Sequence, residues 1–486
     1  MKKRILLILL TVIMLVTAIP AYSAESPCFT YDITEQVLAP ADSHERALII
    51  AGVYGLELES YAYGIAVLRA AQPKRVVSAT RTKAFERVMN SVSEITGTQP
   101  IPQLSLNRVY TAMGMTASSE LPLQWHHDKI DSYSAWGEST GGGVTIAIID
   151  TGIAANHPDF SGRVLATSYN SHNDTVGITH VADDHGHGTS VAGVAAGRNT
   201  GTVSGVAPNA DIMVIKANIP DTEEFTSLSL LRGINYAVEN GADIINLSLG
   251  REYFDENGQS TYEELEHQVV KDAVAKGVTI VAAVGNKKLS NVAYPAAYPE
   301  VIAVSSVNRQ GEFDSGFSNY GIGVDVAAPG NLIYTTRRTG GYGNSSGTSI
   351  ATSSVSGTAA LIKSLNPKAT PEQIAQTIYS TADKNFDGIN KSIYFGYGIV
   401  NAGKAVELTL ANLPTYKVGH VLGKERIGVG DAMEILKHLG RMDSVIQHGN
   451  SAWYAALIVS TEKPGVSDAM EIFKKLARMD NVLDRI

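Results

Sequence analysis

Five apolar runs recur along the middle of the chain: "VTIAIID" at 144–150, "DIMVIKA" at 211–217, "DIINLSL" at 243–249, "VTIVAAVG" at 278–285 and "VIAVSSV" at 301–307. A strand with one wet face alternates apolar and polar residues, whereas runs apolar throughout need cover on both sides. Helical patterns lie between these runs and supply that cover. Residues 124–413 are therefore expected to fold as an α/β unit of three layers, a mostly parallel sheet between helices. Chemistry in such sheets collects at the carboxyl ends of the strands.

Length and composition bound the rest. A chain of 486 residues allows two to four domains. Hydrophobic content of 44% against 18% charge excludes a disordered or fibrous chain. The opening "MKKRILLILLTVIMLVTAIPAYSAES" joins three cations, an apolar run and the small residues Ala21 and Ser23, which is an export signal over 1–23. A membrane anchor is the competing reading; no comparable apolar run follows, so no membrane span is expected after signal removal. Removing Lys2, Lys3 and Arg4 takes the formal charge from −9 to −12, which argues against nucleic-acid binding. The single cysteine, Cys28, forbids an internal disulfide.

Three motifs carry the chemistry. Asp150 ends the first apolar run ahead of a Thr-Gly turn, where an acid either caps the turn or takes part in catalysis. "DDHGHGTSVAGVAAG" sets His187 between Gly186 and Gly188 at the mouth of a small-residue helix, close enough for a second side chain to reach the imidazole. A metal site of His185 and His187 with Asp183 or Asp184 is the alternative there. "NSSGTSIATSSVSG" holds six serines, but only Ser349 stands where glycine freedom ends and a helix begins. Free N–H groups at that end favour an oxyanion. Ser353, Ser354 and Ser356 fall inside the helix and read as packing residues.

Taken in order, "DTG", "HGT" and "GTSIA" resemble the subtilase family of serine peptidases, over roughly 124–413. The resemblance implies a subtilisin-like fold, with Ser349 as nucleophile, His187 as general base and then acid, and Asp150 orienting the imidazole. It implies Asn286, after "VAAVG", as an oxyanion donor beside the Ser349 amide. It also implies that Ser248, Leu249 and Gly250 of "INLSLG" pair with substrate backbone, with Gly285 and Gly250 leaving room for a side chain. Where most members have Ser-Pro-His after Ala351, this chain has Thr352, Ser353 and Ser354. Losing the first-turn proline is expected to loosen the helix start.

Further resemblances concern ions and flanking segments. "NHPDF" and "GRNTGTVSG" resemble the two parts of a family calcium site, with Asp159 and Asn199 as ligands to a structural Ca2+, although Asn with Gly is also an ordinary turn signal. Residues 24–121 resemble an inhibitory pro-segment, a small α+β unit in which "RALIIAGV" and "YGIAVLRA" read as strands and "TKAFERVMNSVSEIT" as a helix. A permanent N-terminal domain is the other reading. In 415–486, "DAMEILKHLGRMD" from Asp431 and "DAMEIFKKLARMD" from Asp468 repeat at a spacing of 37 and form a small helical module. It resembles a degenerate dockerin, without the acidic alternation of a calcium loop. It implies either a docking partner or a self-packed helical pair.

The expected protein is thus a secreted or cell-surface serine endopeptidase. It acts on protein or peptide substrates through an acyl-enzyme and is made as a zymogen with domains 1–23, 24–121, 122–413 and 415–486. The alternative is a catalytically decayed subtilase-fold binding or scaffold protein. Intact Asp150, His187, Asn286 and Ser349 argue against decay.

Overall fold

The computed structural model describes residues 36–70, 104–113, 115–116, 124–198, 203–254, 260–384, 386 and 389–413. The export signal, Cys28, "TKAFERVMNSVSEIT", Asn199 and the repeated helices of 415–486 lie outside the described residues.

A small α+β unit comes first. It comprises strands β1 (Gln36–Pro40), β2 (Leu56–Ala62), β3 (Ile65–Ala70) and β4 (Ser105–Leu106), with helix α1 (His44–Tyr54) after β1. The strands lie in the order β2-β3-β1-β4. "YGIAVLRA" supplies β3 as expected, but "RALIIAGV" is helical. The caps decide it: the Ser43 hydroxyl accepts from the Arg46 N–H, and Gly55 closes the helix in the left-handed region at φ 65. Buried Ala47, Ile50 and Ala51 then form a helical stripe.

Two further pieces follow in extended form, β5 (Val109–Ala112) and β6 (Met115–Thr116), before short helices α2 (His126–Lys129) and α3 (Ser132–Ala135). The main sheet is then built from β7 (Thr145–Asp150), β8 (Tyr169–Asn170), β9 (Thr175–Val176), β10 (Asp211–Lys216), β12 (Ile244–Leu247), β14 (Thr279–Ala283), β15 (Ile302–Val307) and β16 (Val326–Pro329). Between these come β11 (Glu224–Thr226) and β13 (Leu249–Gly250). The order is β16-β15-β14-β12-β7-β10-β8-β9, parallel throughout except for the β8–β9 edge pair. The run "DIINLSL" divides at Ser248, so its last residue leaves the main sheet for a smaller one.

Burial on both faces is visible residue by residue in β7. Ile146 and Ile148 join one core with helices α4 (His187–Ala196) and α7 (Thr348–Leu365), whereas Ala147 and Ile149 join the other with α5 (Ser227–Glu239) and α6 (Glu264–Ala275). Successive strand side chains point to opposite sides, so one apolar run feeds two cores. Helices α8 (Pro371–Thr381) and α9 (Ala402–Asn412) complete the first layer. A hairpin of β17 (Ile333–Thr336) and β18 (Tyr342–Ser346) leads into α7.

The small unit rests on the start of α5. The Asn107 side chain accepts from the Leu228 N–H at 2.9 Å, and the Arg108 carbonyl accepts from the Ser227 N–H at 2.7 Å. Both satisfy donors that a helix end leaves free. Arg232 reaches Ser60, Asn235 reaches the Tyr63 carbonyl, and Tyr63 packs edge-on against Tyr169 and Tyr236. This seating feeds β5 toward the carboxyl edge of the main sheet.

Candidate active site

Asp150 is wholly buried at the end of β7, and His187 opens α4. The imidazole Nδ1 lies 2.7 Å from Asp150 Oδ1 and 2.9 Å from Oδ2. A carboxylate accepts only, so Nδ1 carries the proton and Nε2 presents its lone pair. Helix and strand meet this closely because position 188 is glycine: a Cβ there would fall 2.3 Å from the Gly152 carbonyl oxygen and 3.1 Å from the Asp150 side chain.

The helix start is secured by Asp183. Its Oδ1 accepts from the His185 and Gly186 amides and the Thr151 hydroxyl, and its Oδ2 accepts from the Thr189 amide and hydroxyl. Those bonds fill the acceptor capacity of the carboxylate. Asp184 is engaged as well, with Lys216 at 2.8 Å and the Asn218 amide at 2.9 Å. Among the described residues no cluster of three histidine, cysteine or acidic side chains is arranged to hold a metal.

Ser349 sits in the first turn of α7, after Gly347 at φ 138. Its hydroxyl donates to the Ser248 carbonyl at 3.1 Å. His187 Nε2 makes no hydrogen bond among the described residues. The structure therefore joins Asp150 to His187 and leaves Ser349 turned to the neighbouring strand end. The helix start is firm without proline, because Ser248 and Ser353 hydroxyls both donate to the Ser349 carbonyl, at 3.0 and 2.9 Å. Thr352 donates to the Thr348 carbonyl at 2.7 Å.

Two donors converge on one carbonyl oxygen. The Ser349 amide lies 3.1 Å and Asn286 Nδ2 2.6 Å from the oxygen of Met113. The Asn286 amide is oriented by its other end, which accepts from the Thr348 amide at 3.0 Å and the Thr348 hydroxyl at 2.9 Å. Preset donors of this kind stabilise charge that develops on a carbonyl oxygen under attack.

Met113 arrives there as the continuation of an added strand. β5 lies antiparallel between β11 and β13, with Ala112 opposite Leu249 and Thr111 opposite Gly250. The Met113 amide donates to the Ser248 carbonyl at 2.9 Å. On the far side, β6 pairs with β18, Met115 opposite Ser346. The buried Met113 side chain packs with Ala283 and Ala293, and a Cβ on Gly250 would meet its terminal methyl at 2.9 Å. Gly285 borders the same place through Ala293, while the nearest atoms to a Cβ there belong to the Asn319 amide.

A sequence model described as "Subtilase family" matches residues 141–398, just over half of the chain. The chain belongs to the subtilase family. It is 39% identical to thermitase of Thermoactinomyces vulgaris over 286 residues, 58% of this chain and 96% of that protein. It is 38% identical to subtilisin DY of Bacillus licheniformis, over 57% of this chain and 96% of that protein. Against alkaline elastase YaB of a Bacillus strain it is 38% identical, over 55% and 65% respectively. The protein is a subtilisin-like serine endopeptidase with the three-layer α/β fold of that family.

Within this subtilase site, sequence motifs pointed to Asp150, His187, Asn286 and Ser349, named Asp183 only as a ligand of the alternative metal site, and left out Thr348 and Met113. Asp159, in the loop after β7, is wholly buried, and its carbonyl accepts from the Arg198 amide at 3.1 Å, next to the segment that contains Asn199. A buried carboxylate suits a hard cation such as calcium. The Gln124 side-chain amide is bound at both ends to Ser204, in the chain between α4 and β10.

Burial opposes charge on His187, but the Asp150 carboxylate, aided by Asp183 and Glu223, favours it more, so its pKa lies above the ordinary value. A general base must be neutral, so kcat/KM for peptide hydrolysis should fall as pH drops through a value above about 6.5. Asp150→Asn should move that limb to lower pH and reduce kcat by about 10^4. A wild-type limb at or below the ordinary histidine value contradicts this reading.

Proposed function

We propose that the protein is exported as a zymogen and hydrolyses its own chain between Met113 and Gly114 before acting on other proteins. The observation that supports this most is the Met113 carbonyl oxygen, held by the Ser349 amide and Asn286 on a strand threaded through the groove. The segment 24–121 would then be cut within its last residues, with the small unit as the restraint. The 1–23 leader supports export, and among the described residues no helix is long and apolar enough to cross a membrane.

Catalysis begins when the Ser349 hydroxyl turns from the Ser248 carbonyl to His187 Nε2. Its oxygen attacks the Met113 carbonyl carbon while its proton passes to Nε2. The carbonyl π electrons move to oxygen, where Asn286 and the Ser349 amide receive the charge. The imidazolium, stabilised by Asp150, then protonates the departing Gly114 nitrogen as the C–N bond breaks. Water, deprotonated by the same imidazole, releases the acyl group from Ser349. Other proteins take the same path, laying an extended stretch against Ser248, Leu249 and Gly250. A decayed scaffold has no use for aligned donors on a carbonyl.

Asp159 with Asn199 is the proposed seat of a structural calcium ion, completed by loop carbonyls. The 415–486 module is proposed to hold the enzyme to a partner at the cell surface.

Purified wild-type chain should lose its leading segment and begin at Gly114, whereas Ser349→Ala should remain uncut; processing of both at the same bond would overturn self-cleavage. With excess chelator, the half-life of activity at elevated temperature should shorten, and an unchanged half-life would remove calcium. Deleting 415–486 should release the enzyme from the cell surface with casein cleavage intact. Retention of that truncated form would refute docking.

A further inference from the structure

The strand in the groove buries every second side chain: Val109 and Thr111 face out, whereas Tyr110 and Ala112 face in. With the cut after Met113, Tyr110 occupies the P4 position, the fourth residue before the bond. It is completely buried. Its surroundings are polar in a way that burial of a mere aromatic ring does not need.

The phenol hydroxyl of Tyr110 donates to Glu266 Oε2. The same oxygen accepts from Arg251 Nη2 at 2.7 Å. Glu266 is 2% and Arg251 7% exposed. Arg251 also donates to Thr261 at 3.2 Å, and its guanidinium lies 5.3 Å from the Tyr110 ring centre and 5.0 Å from that of Tyr294. Arg251 directly follows β13, the strand that pairs with the groove peptide, and Glu266 stands in the first turn of α6.

We propose that Glu266 and Arg251 make the P4 pocket a phenol reader, so that this peptidase selects substrates with tyrosine four residues before the cleaved bond. The proposal rests on the reading that Ser349 cleaves after Met113. Once the leading segment departs, the ion pair forms the pocket wall that any P4 residue must cover. Tyrosine restores the hydrogen bond to the buried carboxylate and lays its ring against the guanidinium. Phenylalanine fills the same volume but takes the carboxylate out of water without a replacement donor. Sites built around a hydroxyl reject analogues lacking it far more strongly than apolar pockets reject a change of size.

The test uses full-length protein after self-processing and two peptides, one containing Tyr-Thr-Ala-Met-Gly and one containing Phe-Thr-Ala-Met-Gly. The expected kcat/KM is at least about tenfold higher for the tyrosine peptide. In the double variant Arg251→Met with Glu266→Leu, which replaces the pair by apolar groups of similar size, the ratio should fall to one or invert. A purely structural pair would change overall activity or stability but not this ratio. If the variant does not fold, the wild-type ratio decides alone. Equal rates on both peptides by an enzyme that cleaves casein overturn the phenol reader and leave the peptidase reading standing. Failure to cut casein and both peptides overturns both.

Discussion

One carbonyl oxygen, shared by a helix-start amide and a side-chain amide, is the contact on which the site's design turns. For the Met113 oxygen to lie 3.1 Å from the Ser349 nitrogen and 2.6 Å from Asn286, the ends of β12 and β14, the start of α7 and the added strand β5 must all meet at one edge of the sheet. Parallel strands make that meeting feasible because their carboxyl ends lie together, and each is followed by a chain segment free to vary. Both donors are already in place on that oxygen, and donors set in advance need little reorganisation where charge develops.

The surrounding bonds share a logic: polar groups removed from water hold the side chains gathered at this edge in place. Asp183 saturates the entrance of α4 and thereby fixes the backbone from which His187 projects. Thr348 occupies the oxygen of Asn286 and so aims its nitrogen at the Met113 carbonyl. Lys216, buried near the end of β10, donates to the Thr151 carbonyl at 2.8 Å and pairs with Asp184, bracing the turn that follows Asp150. Such buried networks are useful only when fully satisfied, since a polar group left alone there carries a large desolvation penalty. In the groove, the Glu266–Arg251 pair gains a third member from Tyr110.

The main sheet was legible because runs apolar on both faces have few other homes. Asp150, His187 and Ser349 were legible in the sequence because each falls in a short glycine-containing motif, "DTG", "HGT" or "GTSIA", at the end of a strand or the start of a helix. The helix at "RALIIAGV" was not. Its apolar residues fit a period of two as readily as a helical stripe, and only the hydroxyl cap at Ser43 and the left-handed Gly55 separate the two. Glu266 and Arg251 were hidden for a different reason. Each is a charged residue outside any recognisable motif, and only the folded chain brings them under Tyr110. The docking of β5 between β11 and β13 is likewise a tertiary fact that no local pattern in the sequence carries.

The account stands on Ser349 being a nucleophile made reactive by His187, despite a resting hydroxyl turned toward Ser248. The direct measurement is mass spectrometry of the processed enzyme after exposure to a fluorophosphonate, which captures a serine only where a base removes its proton. One phosphonyl group on the peptide containing Ser349, lost when His187 is replaced by alanine, is the predicted result. An unlabelled Ser349 in enzyme that is hydrolysing casein, or label on a different serine, would contradict it.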